Sequence, residues 1–462
     1  MKQGFALCCL AFTVLFACTA CGAANAAAPA TAAPGVTLTV EAEKSVLPAG
    51  SAQEAMIRIA ISAPAVRQQL RRTPPVDLAI ALDCSGSMGG EKIANARLAA
   101  RNALELLGED DVFSLILYNQ TAKVLIPSTR VTASTKQELR TVIDSIPAGG
   151  GTALFAGVSL AADELRKLGQ DPRRVQRIIL LSDGIANVGP SSPAELGKLG
   201  ASLVKEGITV STIGIGNDYN EDLMTALAQN ADGNFYFIAD SADLGRFLAQ
   251  ELGCALSVAA RGVKVKITCP EGVTPRGILG CQCRIDGRTI ELDFNQIYAG
   301  HDKVLILQLA LPPQPAGSAK NLADVTLEYV TSDAVKAPEL TRRVAVDFTA
   351  DEAASKQSLN KEVSASVVLQ KSAVLRDEAV NHTDYGNILF ANEKMEEAQK
   401  LLEDNAAVTN APEVKAAAEQ MRKDAEKFKR SQAAPGSSDY KEARKEMRGR
   451  SYQIINSQPV KQ

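Results

Sequence analysis

The sequence lacks several residue types on which whole classes of protein chemistry depend. Its 462 residues include no tryptophan and only two histidines, His301 and His382. A typical catalytic zinc site uses several histidines, and no Cys-x-x-Cys pair occurs after the N-terminal apolar segment, so catalytic and ribbon-type zinc sites are both disfavoured. Lys and Arg number 50 against 53 for Asp and Glu, a net charge of −3. Nucleic-acid binding usually needs an excess of positive charge, so we expect no nucleic-acid partner.

Long apolar runs are also scarce, and the one near the N-terminus predicts export. Residues 4–17 are apolar and follow Lys2, but the run is too short for a comfortable membrane span. No run of 18 apolar residues occurs elsewhere. We therefore predict that residues 1–26 are a signal peptide and that residues 27–35, rich in Ala and Pro, are a flexible tether.

Two endings of this signal remain open. Small residues precede Cys18 and Cys21, as in the lipobox of bacterial lipoproteins, whereas Ala24-Asn25-Ala26 suits ordinary cleavage. We expect membrane attachment only through an N-terminal lipid anchor, if Cys18 or Cys21 is lipidated. The predicted location is an outer-membrane lipoprotein, or a periplasmic or cell-surface protein, of a bacterium.

Four cysteines lie outside the signal and outside the motif described below: Cys254, Cys269, Cys281 and Cys283. In an oxidising compartment they could form two bridges, with Cys281 and Cys283 paired to the other two rather than to each other. The alternative is that all four are free buried thiols.

The secondary-structure pattern of the mature chain changes three times. Residues 74–256 alternate strands and helices, which predicts an α/β doubly wound domain with one extra edge strand. Residues 257–350 have the period of two typical of a β-sandwich, and residues 351–462 are helical. Residues 36–73 offer two strands, too few to be stable alone. We therefore expect them to pair with the sandwich, so that the α/β domain is inserted in it.

Polar side chains follow the first strand of the α/β domain directly. Residues 78–82 form an apolar run suited to a strand buried on both faces. Asp83, Ser85 and Ser87 then stand at alternate positions, and Gly86 allows a tight loop. Three oxygen-bearing side chains at the carboxyl end of a central strand indicate a site for a hard cation.

Topology brings two further oxygen donors to the same place. Thr152 follows a glycine triplet at a helix start, and Asp183 ends the strand at 175–182. In the usual strand order 3-2-1-4-5-6, the first and fourth strands are neighbours. Asp83 and Asp183 should therefore share one crevice, within reach of Thr152. A motif of this kind could instead merely cap loops.

These residues resemble a known site. Asp83-Cys84-Ser85-Gly86-Ser87, Gly150-Gly151-Thr152 and Ser182-Asp183-Gly184 are similar to the metal-ion-dependent adhesion site of von Willebrand factor type A domains. The resemblance covers residues 76 to about 252, and the flanking regions are similar to bacterial exported proteins of this family. Cys84 departs from the residues often seen in its slot, which is not a ligand position.

The resemblance implies a ligand set and a function. Ser85, Ser87 and sometimes Thr152 would bind the ion directly, and Asp83 and Asp183 would often act through water. Oxygen ligands suit Mg²⁺, with Mn²⁺ or Ca²⁺ possible. We expect a non-enzymatic, cation-dependent protein-binding or adhesion module on the bacterial cell envelope, whose unidentified protein partner supplies an acidic residue.

Two other functions and one local question stay open. The protein could be an envelope assembly or scaffold protein that acts through its C-terminal helices, with a structural metal site. An enzyme is disfavoured because no nucleophile–base pair is visible in the motifs and both histidines lie outside the α/β domain. Residues 217–222 could form a rim that selects the partner, or a helix start capped by Asn220.

Overall fold

The structure is a computed structural model that describes residues 35–64, 74–281, 283–432 and 436–458. The predicted signal peptide, with Cys18 and Cys21, lies outside the described residues. Three strands open the described chain: β1 (Thr37–Ala42), β2 (Val46–Pro48) and β3 (Gln53–Ser62). Ile57, Ile59 and Ile61 of β3 are fully buried at the period of two that places them on one face. This face needs a partner sheet, which the chain supplies only much later.

An α/β domain follows, with one six-stranded sheet and helices on both faces. Its strand order is β6-β5-β4-β7-β8-β9, which is the predicted 3-2-1-4-5-6 order, and only the edge strand β6 runs antiparallel. Every residue of β4 and of β7 is buried, as expected for central strands covered on both sides. The elements are β4 (Val76–Asp83), α1 (Glu91–Leu106), β5 (Val112–Tyr118), β6 (Ala122–Arg130), α2 (Ala133–Asp144), α3 (Leu154–Arg166), β7 (Val175–Ser182), α4 (Pro193–Lys205), β8 (Ile208–Ile215), α5 (Glu221–Asn230), β9 (Phe235–Ile238) and α6 (Leu244–Ala255).

One predicted helix start is wrong. The sequence spacing predicts that α2 begins at Thr135 with a capping box to Glu138. The helix begins earlier, because Thr132 is extended and its Oγ1 accepts the backbone N–H of Thr135 at 3.1 Å. The Thr135 hydroxyl in turn accepts the backbone N–H of Thr132 at 2.7 Å. A threonine thus takes the place that Glu or Gln usually holds in this motif.

The remaining strands complete a β-sandwich around the strands that precede the α/β domain. β3 lies between β1 and β14, and β2 lies beside β16, so both sheets take strands from before and after the α/β domain. The α/β domain is therefore inserted in a sandwich, and the predicted fold class is confirmed. The later strands are β10 (Val258–Thr268), β11 (Thr274–Ile278), β12 (Ile285–Asp286), β13 (Thr289–Tyr298), β14 (Asp302–Leu311), β15 (Ala319–Thr331) and β16 (Leu340–Thr349).

The C-terminal region is helical and packs on both preceding parts. It comprises α7 (Glu352–Gln357), α8 (Lys361–Asp384), α9 (Ile388–Thr409), α10 (Pro412–Ser431) and α11 (Ser438–Ile455).

Helices α8 and α11 make contacts with the rest of the chain. Val363 and Val367 of α8 pack on the sandwich, and the Tyr452 hydroxyl of α11 donates to the Gly233 carbonyl of the α/β domain at 2.8 Å. Among the described residues, no helix is both long and apolar enough to cross a bilayer. The helical region is therefore docked on both the sandwich and the α/β domain.

The cysteines of the described chain carry no disulfide bonds. Cys84, Cys254 and Cys269 are buried, and Cys281 and Cys283 are partly exposed. The two predicted bridges are therefore not formed among the described cysteines, and two of the four thiols are not fully buried.

Candidate metal site

Asp83 ends β4 as a buried carboxylate held by the protein's own donors. One oxygen accepts the Ser85 backbone N–H, and the other accepts the Ser182 hydroxyl, both at 2.8 Å. Burial raises the pKa of Asp83 to about 6, although these hydrogen bonds act in the opposite direction. Since both oxygens already have partners, the carboxylate is fixed in position, as suits a group that acts on an ion through water.

Three hydroxyl groups converge beside it. The Ser85 and Ser87 hydroxyls lie 3.0 Å apart, and Ser87 Oγ donates to Asp183 Oδ1 at 2.7 Å. A Cβ placed on Gly184 would lie 3.2 Å from Ser87 Oγ, 3.3 Å from Thr152 Oγ1 and 3.9 Å from Ser85 Oγ. Four of the five predicted ligands therefore surround one small space above Gly184: Ser85, Ser87, Thr152 and Asp183. The fifth, Asp83, lies behind Ser85.

The loops that carry these groups are locked together by backbone bonds. The Gly86 N–H donates to the Gly150 carbonyl at 3.0 Å, and the Gly149 N–H donates to the Cys84 carbonyl at 2.8 Å. Gly150 has a φ of +94°, and a Cβ there would lie 2.4 Å from the Gln120 side chain. Only glycine fits this position without rearrangement.

Two asparagines that the sequence reasoning missed position the same loops. Asn119 Nδ2 donates to the Gly149 carbonyl at 2.9 Å, and Asn187 Oδ1 accepts the Thr152 N–H at 2.8 Å. Asn119 follows the carboxyl end of β5, and Asn187 lies on the loop after Asp183. That placement at strand ends is the signal by which they could have been found.

Lys92 is a further residue that the sequence reasoning missed. Its ammonium lies 2.6 Å from Asp183 Oδ2, and the Asp183 side chain is fully buried. Lys92 also lines an open crevice beside the site, and Ile185, two residues after Asp183, is 61% exposed. The surface around the candidate site thus combines a cation, an apolar side chain and a crevice.

Of the two predicted roles for residues 217–222, a partner-selecting rim or a helix start, the structure shows the helix start. Asn220 Oδ1 accepts the Leu223 N–H at 3.1 Å and caps α5. The acids that follow it contact α11, since Lys445 Nζ lies 2.7 Å from Glu221 and Arg444 Nη2 lies 2.6 Å from Asp222. These acids are therefore tied to the C-terminal helices rather than free to select a partner.

The donor set of the site fits a hard divalent ion. Within the described ranges, no group of three or more His, Cys, Asp or Glu side chains could hold a metal. The site at β4 and β7 instead mixes two carboxylates with three hydroxyls, an all-oxygen set of the kind that Mg²⁺ prefers. Ser85, Ser87 and Thr152 would hold such an ion from one side, and Asp83 and Asp183 would supply negative charge.

Comparison with known sequences assigns the α/β domain to a family. The sequence model of the von Willebrand factor type A domain matches residues 77–250. The uncharacterized protein YfbK of Escherichia coli is 29% identical over 279 residues, which is 59% of this chain and 47% of that protein. The uncharacterized protein sll0103 of Synechocystis is 33% identical over 187 residues, or 40% of this chain and 43% of that protein. The chain thus spans less than half the length of these relatives.

Solved structures share the wider architecture. A von Willebrand factor type A protein from Catenulispora acidiphila has a TM-score of 0.70 at 19% identity, covering 91% of this chain and 96% of that one. The ArnB paralog VWA2 from Sulfolobus acidocaldarius has a TM-score of 0.58 at 19% identity, covering 90% and 99%. This protein therefore contains a von Willebrand factor type A domain, as predicted. Such domains are typically non-enzymatic interaction or adhesion modules, and they commonly bind a divalent metal.

Proposed function

We propose that this protein is a non-enzymatic, cation-dependent binding module of the bacterial cell envelope. It holds Mg²⁺ at Ser85, Ser87 and Thr152, with Asp83 and Asp183 behind them, and presents the ion to a carboxylate of a protein partner. The observation that carries the proposal is the convergence of three hydroxyl oxygens within 4 Å of one point above Gly184. Mn²⁺ or Ca²⁺ could take the same oxygen ligands.

The charges of the site explain why the partner supplies an acid. Hydroxyl ligands are neutral, and both oxygens of Asp83 already accept hydrogen bonds from the protein's own donors. A divalent ion there keeps much of its positive charge, which an incoming carboxylate neutralises. The exposed Ile185 would pack on the apolar part of the same partner.

The location rests on the sequence. An apolar segment follows Lys2, and small residues precede Cys18 and Cys21. Labelled palmitate is expected to enter the full-length protein in its bacterium and to be lost when both residues are changed to serine, because the thiol accepts the lipid. Labelling that persists in the double variant would contradict an anchor at either cysteine, and Cys84→Ser is the matched control.

A second candidate function has one observation in its favour. Tyr385, Leu389 and Phe390 at the turn between α8 and α9 are 84%, 79% and 57% exposed. We call these three residues the helical tip. Large apolar side chains clustered on a surface often mark a contact with another protein. A scaffold that acts through its helices would use this tip, and its metal site would then be structural.

Capture from envelope extract separates the two functions. Full-length protein loaded with Mg²⁺ is expected to retain a partner that EDTA releases and that added Mg²⁺ restores, because the ion bridges the contact. Changing all three residues of the helical tip to serine should leave this capture intact. A partner that stays in EDTA but is lost in the tip variant would establish the scaffold instead.

A further inference from the structure

A lysine contacts one of the buried candidate ligands of the cation site. Lys92 Nζ lies 2.6 Å from one oxygen of Asp183, and Ser87 Oγ lies 2.7 Å from the other. The Asp183 side chain is fully buried, whereas Lys92 is 31% exposed. A buried carboxylate needs a compensating positive charge, and Lys92 supplies it.

The position of Lys92 on α1 has no explanation in the helix itself. The helix begins at Glu91, and Gly90 before it offers no side-chain cap. The start of a helix carries partial positive charge, so acids are favoured and lysine is disfavoured in the first turn. The contact with Asp183 is what accounts for a lysine at this place.

Lys92 has room to leave Asp183 without movement of the sheet. Its side chain lines an open crevice with Gly89, Glu91, Ile215 and the residues 239–241. Two acids, Glu91 and Asp240, lie in that lining and could receive the ammonium. Because Lys92 lies on α1 and not on β4 or β7, its side chain can turn into this crevice without a change in either strand.

We propose that Lys92 is a built-in substitute for the divalent cation at Asp183. It keeps the site assembled when no ion is bound, and it lowers the affinity of the site for that ion, because the ammonium and the ion compete for one carboxylate. The inference rests on the proposed function for the presence of a divalent ion here. Lys92, which is not one of the five predicted ligands, sets the affinity of the site for the divalent ion.

Calorimetric titration of the full-length protein with Mn²⁺ tests the inference. Lys92→Met, which keeps the length and removes the charge, is expected to bind Mn²⁺ about tenfold more tightly, a coupling of ordinary size. Lys92→Arg keeps the charge and should bind nearly as the wild type does. Without metal, Lys92→Met should unfold at a lower temperature than the wild type, and saturating Mn²⁺ should remove the difference.

A control variant and two contrary results complete the test of Lys92. Lys198→Met removes an exposed lysine on α4 of the same domain and should change neither measurement. Lys92→Gln, which leaves Asp183 a neutral donor, replaces the methionine variant if that one does not fold. Equal or weaker Mn²⁺ binding in the uncharged variant overturns the role of Lys92 and leaves the metal site standing. A wild-type protein that binds no Mn²⁺ overturns both.

Discussion

Gly184→Ala is expected to weaken cation binding strongly while the protein stays folded. The new methyl would lie 3.2 Å from Ser87 Oγ and 3.3 Å from Thr152 Oγ1, in the space that these hydroxyls surround. Gly184 is not among the glycines with positive φ, so alanine suits its backbone. We expect Mn²⁺ affinity to fall about 100-fold or more, the upper end for changes around metal ligands. Calorimetric titration measures it, and EDTA-sensitive capture of the partner should vanish with it.

The matched control is another glycine-to-alanine change in the same domain. Gly253 on α6 is exposed, and a Cβ there meets no atom within 4 Å. Gly253→Ala should bind Mn²⁺ as the wild type does. Undiminished binding in Gly184→Ala, with an unchanged unfolding temperature, would place the ion elsewhere.

Glu251→Ala is expected to cause the largest loss of stability. Glu251 on α6 pairs with Arg177 on β7, and both side chains are fully buried. Glu251 also accepts hydrogen bonds from Ser211 at 2.6 Å and from Asn234 at 2.8 Å. Its removal leaves the buried guanidinium without its counter-charge, which typically costs about 3–5 kcal/mol. Urea unfolding of the full-length protein measures the change.

An exposed ion pair provides the comparison. Arg101 Nη1 lies 3.2 Å from Asp144, and both side chains are about half exposed. Arg101→Ala should change the free energy of unfolding by less than about 1 kcal/mol. If Glu251→Ala costs no more than this control, the buried pair does not support the fold.

The inserted α/β domain makes contacts with both the sandwich and the C-terminal helices. The Tyr298 hydroxyl on β13 of the sandwich accepts a hydrogen bond from Arg177 at 2.8 Å. Tyr452 on α11 packs edge-on against Phe235 of β9, with ring centroids 5.8 Å apart. A fragment limited to the α/β domain would lose both contacts and expose part of its core.

The sequence by itself determined the five candidate ligands, because an apolar run predicts a buried strand and the polar residues after it lie at the edge of the sheet. The strand order that brings them together came from the usual topology of doubly wound domains, and the structure has that order. The cap of α2 was misplaced since Thr132 and Thr135 form their bonds reciprocally, without the acid that usually marks the motif.

Only the tertiary structure decided what surrounds those ligands. Lys92 and Asp183 are 91 positions apart, and Arg444 and Glu221 are 223 apart. No periodicity in the sequence records such pairs, because they arise when separate elements pack against each other. The space above Gly184 also arises only from packing, because three separate loops must come together to enclose it. The sequence therefore specified the candidate donors of the site, and packing specified the charge and the space around them.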